Sequence, residues 1–483
     1  MSTGGLRLTD APASPARGMW LDQRPTEDQF RQPRSMLFLA PMAAVLLIVG
    51  LAYALDRTDY DFWGAFVIGP ALILLTVPLA TRAGRTDDDP TLPRVVVLAA
   101  VVKLTLGVTA RYFVNFSVYG GSADSVQYYN EGRRLAPFFR QGIFENLGEI
   151  SGTRSIEIFT GLVFGITGTS EVGGFMVFSW LSFLGCFLFY RAFRLAYPGG
   201  DHRRYLYFVL FFPSLLFWPA SIGKDAIMVC LLGCAAYGVA ALLNGRAKGL
   251  LWMAGGLWGM TVIRPHLALA ILAGVVVALP MRNRTWASDR PGRPGVLSGR
   301  GAKLVLVVGM ALAAIFVIGQ TQEFFNLTSL SAESAGAVLE NTGERTAQGG
   351  SEFTTQSPAS LLGLGNALVT VIFRPFPFEV GNVQGLISGG EGLVLVALAI
   401  WSLPRLARLP VEAVRHPYIA FAAGYVFAFC FAFSAINNFG ILARQRSQLL
   451  PVLFVLFCIQ PLSQASAVTD ARGPAEAGLR RAR

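Results

Sequence analysis

The stretch "EVGGFMVFSWLSFLGCFLFY", Glu171 to Tyr190, carries one charge at its first position and no other before Arg191. Twenty residues of helix rise about 30 Å, the thickness of a bilayer's hydrocarbon core. The apolar character is continuous, not alternating, so the run does not read as a strand of a membrane β-barrel. In lipid, a helix satisfies its own backbone hydrogen bonds, and the stretch reads as a membrane crossing.

The rest of the chain repeats this pattern. Of 483 residues, 53% are hydrophobic and 14% charged, with a mean hydropathy of +0.51. A soluble domain carries about a quarter charged residues. The expected fold class is therefore all-α, a polytopic integral membrane protein of about twelve transmembrane helices. The expected spans are 36–55, 62–80, 95–114, 171–190, 205–219, 226–244, 250–263, 266–281, 304–320, 390–403, 418–436 and 449–463. Two apolar pieces, 156–168 and 359–373, are too short to cross and fit re-entrant or interfacial helices. Residues 36–463 form the expected transmembrane domain, and the polar ends, 1–35 and 464–483, read as disordered tails. The first apolar run begins near Met36 without a cleavage site of small residues, so no signal peptide is expected.

The net charge of +11 does not point to nucleic acid, because the basic residues sit in short loops between apolar runs. Alternate loops carry Arg82, Arg85 and Arg94, then Arg191, Arg194, Arg203 and Arg204, then Arg246 and Lys248, then Arg405, Arg408 and Arg415. Such loops face the cytoplasm, which places both termini there and the protein in the cytoplasmic membrane. The opposite face then holds two long loops, 115–155 and 321–358. The second is polar, either a lid ordered by substrate or an exposed connector. The five cysteines lie in apolar runs and read as buried hydrophobes. With three dispersed histidines, a zinc site is not expected.

The external face carries cations against the orienting rule: Arg133, Arg134, Arg140, Arg154, Lys224, Arg264, Arg345, Arg374, Arg444 and Arg446. Guanidinium groups bind phosphate through paired hydrogen bonds. Local pairing with acids such as Glu131 and Glu379 is the alternative for any one of them. The segment "YGGSADSVQYYNEGRRLAPFFR", Tyr119 to Arg140, places Asp124, Tyr128, Glu131 and Leu135 on one helical face. Asp124 reads either as a helix cap, with Gln127 completing a capping box, or as a carboxylate at the membrane surface able to accept a proton. The residues from Arg133 to Phe144 suit a helix in the interface. Lys224 and Asp225 read as a local ion pair or as site residues, and Arg264 as the end of a span or a ligand contact.

Three pieces together carry a resemblance. They are "GSADSVQYYNEGRRLA" (121–136), the apolar turn-and-span at 156–198, and "FPSLLFWPASIGKDAIMV" (212–229). Over about residues 95–285 the chain resembles the GT-C superfamily, membrane glycosyltransferases that use polyprenyl-phosphate-linked sugars. It departs from that pattern in having two spans before the first external acid, and a lone Asp124 where a pair of acids is usual. "FRPFPFEVGN" (373–382) and "NNFGILARQRSQLLP" (437–451) look like segments of O-antigen polymerase-like proteins.

The resemblance implies a lipid-linked sugar donor, a saccharide or lipid-linked acceptor, surrounding membrane lipids and no nucleic acid. Asp124 is the first candidate base, then Glu131 and Asp225. Arg444 and Arg446, two residues apart in an external turn, are the first candidates for the phosphate. Lys224, Arg264 and Arg374 follow, with Arg133, Arg134, Tyr128 and Glu379 lining the substrate. A divalent metal ion is the alternative source of leaving-group stabilisation. A transporter or flippase of lipid-linked saccharide is the competing reading. It would place its charges near mid-membrane on broken helices.

Overall fold

A computed structural model describes residues 60–145, 147–285, 314–323 and 361–460, with isolated positions between 45 and 56 and between 342 and 346. The tails, nearly all of the expected span 36–55, most of 304–320, most of the loop 321–358 and Arg345 lie outside the described residues. Within the described residues the chain is helical and forms no β-strand.

Five helices are long and apolar enough to cross a membrane. These are α1 (Tyr60–Asp87), α2 (Leu92–Val118), α5 (Glu171–Ala196), α8 (Lys224–Leu243) and α12 (Val383–Trp401). Between α2 and α5 stand α3 (Asp124–Arg140) and α4 (Gly152–Thr167). After α5 come two short helices, α6 (His202–Phe211) and α7 (Pro213–Phe217). Next after α8 are α9 (Gly249–Ile263), α10 (Pro265–Thr285) and α11 (Leu361–Phe373). Beyond α12 lie α13 (Leu403–Leu406), α14 (Leu409–Arg415), α15 (Pro417–Phe433) and α16 (Phe439–Phe457). The apolar parts of α9, α10, α11 and α15 are each shorter than a full span. The expected count of about twelve crossings thus stands against five helices of spanning length among the described residues.

The expected span 205–219 is divided. Pro213 has no N–H to continue α6, and it forces Phe212 into an extended conformation. Further on, Pro219 has no N–H to offer the carbonyl of Leu215, which is met instead by the ammonium of Lys103, itself buried in α2. Helix α2 widens to π-helical geometry at Lys103–Gly107 and again at Val114–Val118.

The helices pack as a bundle through small residues. A Cβ on Gly185 of α5 would lie 2.3 Å from the Val229 carbonyl of α8, and one on Gly233 would lie 2.4 Å from the Gly185 carbonyl. Without a hydrophobic drive between helices in lipid, such close backbone approach supplies the packing energy. Helix α16 runs among α6, α8 and α15 and is buried over nearly all of its length.

The two ends of the bundle differ. One end is stitched by ion pairs: Asp87 to Arg191 at 2.7 Å, Asp201 to Arg405 at 3.1 Å, and Glu412 to Arg408 at 2.7 Å. These arginines belong to the loops expected on the cytoplasmic side. At the other end meet the C-terminus of α2 and the N-termini of α3, α8, α12 and α16, and here Arg264 and Arg444, two of the cations expected on the external face, converge on Asp225.

Candidate functional site

The centre of this end is Asp225, the second residue of α8, whose side chain is 5% exposed. Its carboxylate accepts from Arg264 Nη1 at 2.9 Å, from Gln448 Nε2 at 3.2 Å, and from Arg444 Nε. Gln445 Oε1 accepts from Arg264 Nη1 at 2.8 Å and from Gln448 Nε2 at 3.0 Å. Both carboxylate oxygens of Asp225 are thus engaged, Oδ1 by Arg264 and Gln448 and Oδ2 by Arg444. A carboxylate so clamped between two guanidiniums is an anchor, not a proton acceptor.

Asp124 is placed differently. It is the first residue of α3, and its side chain is 61% exposed. Arg444 Nη1 reaches its Oδ2 at 3.3 Å, so one guanidinium holds both acids. The capping alternative does not form: Ala123 is the N-cap, and the Gln127 amide turns instead to Glu157 at 2.9 Å. Tyr128, one turn further along, is buried, and burial pushes its hydroxyl up to about 12. Lys224 does not pair with its neighbour Asp225; its ammonium donates to Thr153 Oγ1 at 2.9 Å.

Asp124 and Arg444 line a cavity of about 750 Å³. Arg111, Tyr119, Trp218, Asn382, Gln384, Asn438 and Phe439 also line it. That volume lies within the range that holds a small organic ligand. The expected apolar run hid one member. Arg111, near the end of α2, is 6% exposed and lies with its guanidinium carbon 5.2 Å from the Phe217 ring and 5.3 Å from the Trp218 ring. Among the described residues no acceptor meets its Nε or its Nη1. The signal for it was present, because an arginine inside an apolar run is costly and marks a site.

Other expected site residues are not brought in. Glu131 is consumed by Arg134 at 2.8 Å and Arg154 at 3.3 Å, and Arg134 holds its carboxyl below the usual carboxylate range. It does not line the cavity. Arg133 and Arg134 are exposed on α3 and do not line it either. Arg374 and Glu379 pair with each other at 2.6 Å, the local alternative for both. Arg446 is a correction. The "ARQR" segment is helix α16, not a turn, and two residues along a helix rotate by about 200°. Arg444 therefore faces the cavity, while Arg446 is 1% exposed and donates to the carbonyl of Arg374.

The described residues contain no group of three His, Cys, Asp or Glu side chains placed to hold a metal ion. Asp124 and Asp225 already share one guanidinium, a donor set that does not fit a divalent cation. No family model, curated protein sequence or solved structure matches this chain. The likeness to membrane glycosyltransferases rests on the residues quoted above.

Proposed function

We propose that this chain is a membrane glycosyltransferase acting on a polyprenyl-phosphate-linked sugar at the external face of the cytoplasmic membrane, in the synthesis of envelope polysaccharide or glycoconjugate. The observation that carries the reading is the pairing at one cavity of an exposed carboxylate, Asp124, with a cation, Arg444, fixed by a second acid. Transfer needs these two elements side by side. The acceptor hydroxyl attacks the anomeric carbon, its proton passes to the Asp124 carboxylate, and the bond from that carbon to the phosphate oxygen breaks. The negative charge left on the lipid phosphate is met by arginine. Asp225 serves by fixing Arg444 and Arg264, not by taking the proton. An O-antigen-type polymerase would use the same elements, with a lipid-linked saccharide as acceptor.

The test is Asp124→Asn in an assay with a radiolabelled polyprenyl-phosphate sugar. The variant is expected to purify as wild type does and to lose at least about a hundredfold in transfer, the scale of one general base. Near-normal product would remove Asp124 from the chemistry.

A specific observation favours the transport reading as well. Lys103 and Glu391 each sit halfway along a helix of spanning length, on either side of the broken pair α6–α7. Lys103 meets the Leu215 carbonyl, and Glu391 accepts from Ser214. Mid-membrane charges beside a broken helix are a transporter arrangement. Flipping of a lipid-linked saccharide in proteoliposomes, lost in Glu391→Gln but retained in Asp124→Asn, would replace the enzyme reading with this one.

A further inference from the structure

The 20 residues of α8 and the 15 of α9 join the same two ends of the bundle. The helices run antiparallel, backbone against backbone. A Cβ on Gly249 would lie 2.6 Å from the Gly238 carbonyl oxygen, one on Gly256 2.7 Å from the Ala235 nitrogen, and one on Gly259 2.6 Å from Leu231 Cδ2. Arg264, which follows α9, bonds Asp225 in the first turn of α8 at 2.9 Å. Helix α9 thus reaches from the turn at 244–248 to the candidate site. Its charged ends, Lys248 and Arg264, stand 16 positions apart with no charge between them, which on a helix is about 24 Å. On α1, Asp61 and Arg82 stand 21 positions apart, and on α5, Glu171 and Arg191 stand 20 apart, about 30 Å in each case and the thickness of a hydrocarbon core. The apolar part of α10, Pro265–Met281, is short like α9. Apolar side chains of both helices point outward: Leu251 is 76% exposed, Trp258 68% and Val276 61%.

We propose that the outward side of α9 and α10 is a surface for a locally thinned bilayer, one that fits lipids of short acyl chain and brings the membrane surface down to the level of Arg264 and the candidate site. A helix shorter than the hydrocarbon core gains nothing by tilting, which only shortens its reach. Three responses remain: its charged ends snorkel, a second copy covers it, or the bilayer thins. Lys248 is exposed and free to snorkel, but Arg264 is not, because Asp225 and the Gln445 amide oxygen, at 2.8 Å, hold its guanidinium. The membrane surface is therefore pinned at the Arg264 end. The inference goes beyond the transferase reading and stands without it, since it uses only helix lengths, charge positions and packing.

The experiment uses the full chain in vesicles of dimyristoleoyl, dioleoyl or dierucoyl phosphatidylcholine, a series of rising acyl length. The melting temperature is expected to be highest in the shortest lipid and lower by at least about 4 °C in the longest. The double variant Arg246→Leu with Lys248→Leu lengthens the apolar run of the α8–α9 hairpin, and its optimum is expected to move to the dioleoyl lipid. Arg82→Leu with Arg85→Leu, at the end of α1, is expected to leave the optimum where it was. A wild-type protein most stable in either longer lipid, or indifferent to length, overturns the proposal. So does an equal shift in the two double variants, which assigns the preference to the bundle as a whole. If the hairpin variant does not assemble, immersion depth decides. Gly255, where an added Cβ meets nothing within 4 Å, stands seven positions from Lys248, and Ala71 stands ten from Asp61 on α1. A spin label at Gly255 is expected to lie shallower than one at Ala71 by about 4 Å; equal depths overturn the proposal. A dimer in the vesicles with Trp258 in its interface would show that a second copy, not lipid, covers this face, and would overturn it as well.

Discussion

Replacing Asp225 with Asn tests whether the site is built around a buried anion. In the fold, Asp225 neutralises Arg264 at 2.9 Å and Arg444 at closer range, with side-chain exposures of 12% and 26% for the two arginines. At about 3 Å and an effective dielectric near 20, each pair is worth about 5 kcal/mol before desolvation is subtracted. Asn keeps the shape and one acceptor oxygen but not the charge. Arg264 is then left with the Gln445 amide oxygen, and Arg444 with the partly solvated Asp124. Removing one partner of a buried pair costs about 3–5 kcal/mol, because the other charge stays behind. The expected loss for Asp225→Asn is therefore about 3–5 kcal/mol, read as the shift in unfolding free energy during titration with denaturing detergent. Asp225→Glu is expected to recover part of it. Asp124→Asn, with a side chain 61% exposed, is expected to cost under about 1 kcal/mol. An Asp225→Asn variant as stable as wild type would refute the anchor role, and with it the division of labour between the two acids.

Other outcomes follow from the packing and the ion networks. Gly185→Val would drive a Cβ to 2.3 Å from the Val229 carbonyl, and the variant is expected to lose about 3 kcal/mol or more, or to fail to assemble, by size exclusion and detergent unfolding. Burial pushes His202 below the ordinary imidazole value; its Nδ1 accepts from Arg194 at 3.0 Å, and its Nε2 donates to the Tyr197 carbonyl at 2.8 Å. The neutral ring is thus favoured in the fold, while the unfolded chain takes up a proton near pH 6.5. Its contribution to stability is present above that pH and declines as pH falls toward the lowered folded value. Melting temperature is expected to fall between about pH 7 and pH 5 by less in His202→Gln than in wild type. An equal slope in the two proteins would detach His202 from the pH response.

Much of the architecture was legible because helix formation and membrane insertion are local properties. The charge-free run after Glu171 became α5, the run from Lys224 became α8, and the short apolar pieces became α4 and α11. Three arginines of the loops expected on the cytoplasmic side, Arg191, Arg405 and Arg408, form ion pairs with Asp87, Asp201 and Glu412. The break at Pro213 could have been taken from the sequence, because proline and the residue before it carry local backbone rules.

Which charges meet was not legible. Arg444 and Arg446 differ by two positions, and only helical geometry sends one to the cavity and the other into the bundle. Glu131 and Asp124 share a helix face, yet Arg154 from α4 takes the first, and Arg444, 320 positions along the chain, takes the second. Lys224 and Asp225 are neighbours that turn to different partners. Sequence alone determined that this chain is helical, apolar and patterned for a membrane, because each segment's hydrophobicity and backbone satisfaction depend on itself. Only the tertiary structure decided that Arg111 lies buried beside a cavity and that Asp225 anchors while Asp124 stays open. Burial and ion pairing are set by side chains far apart in the chain, and their energies exist only once the helices have packed.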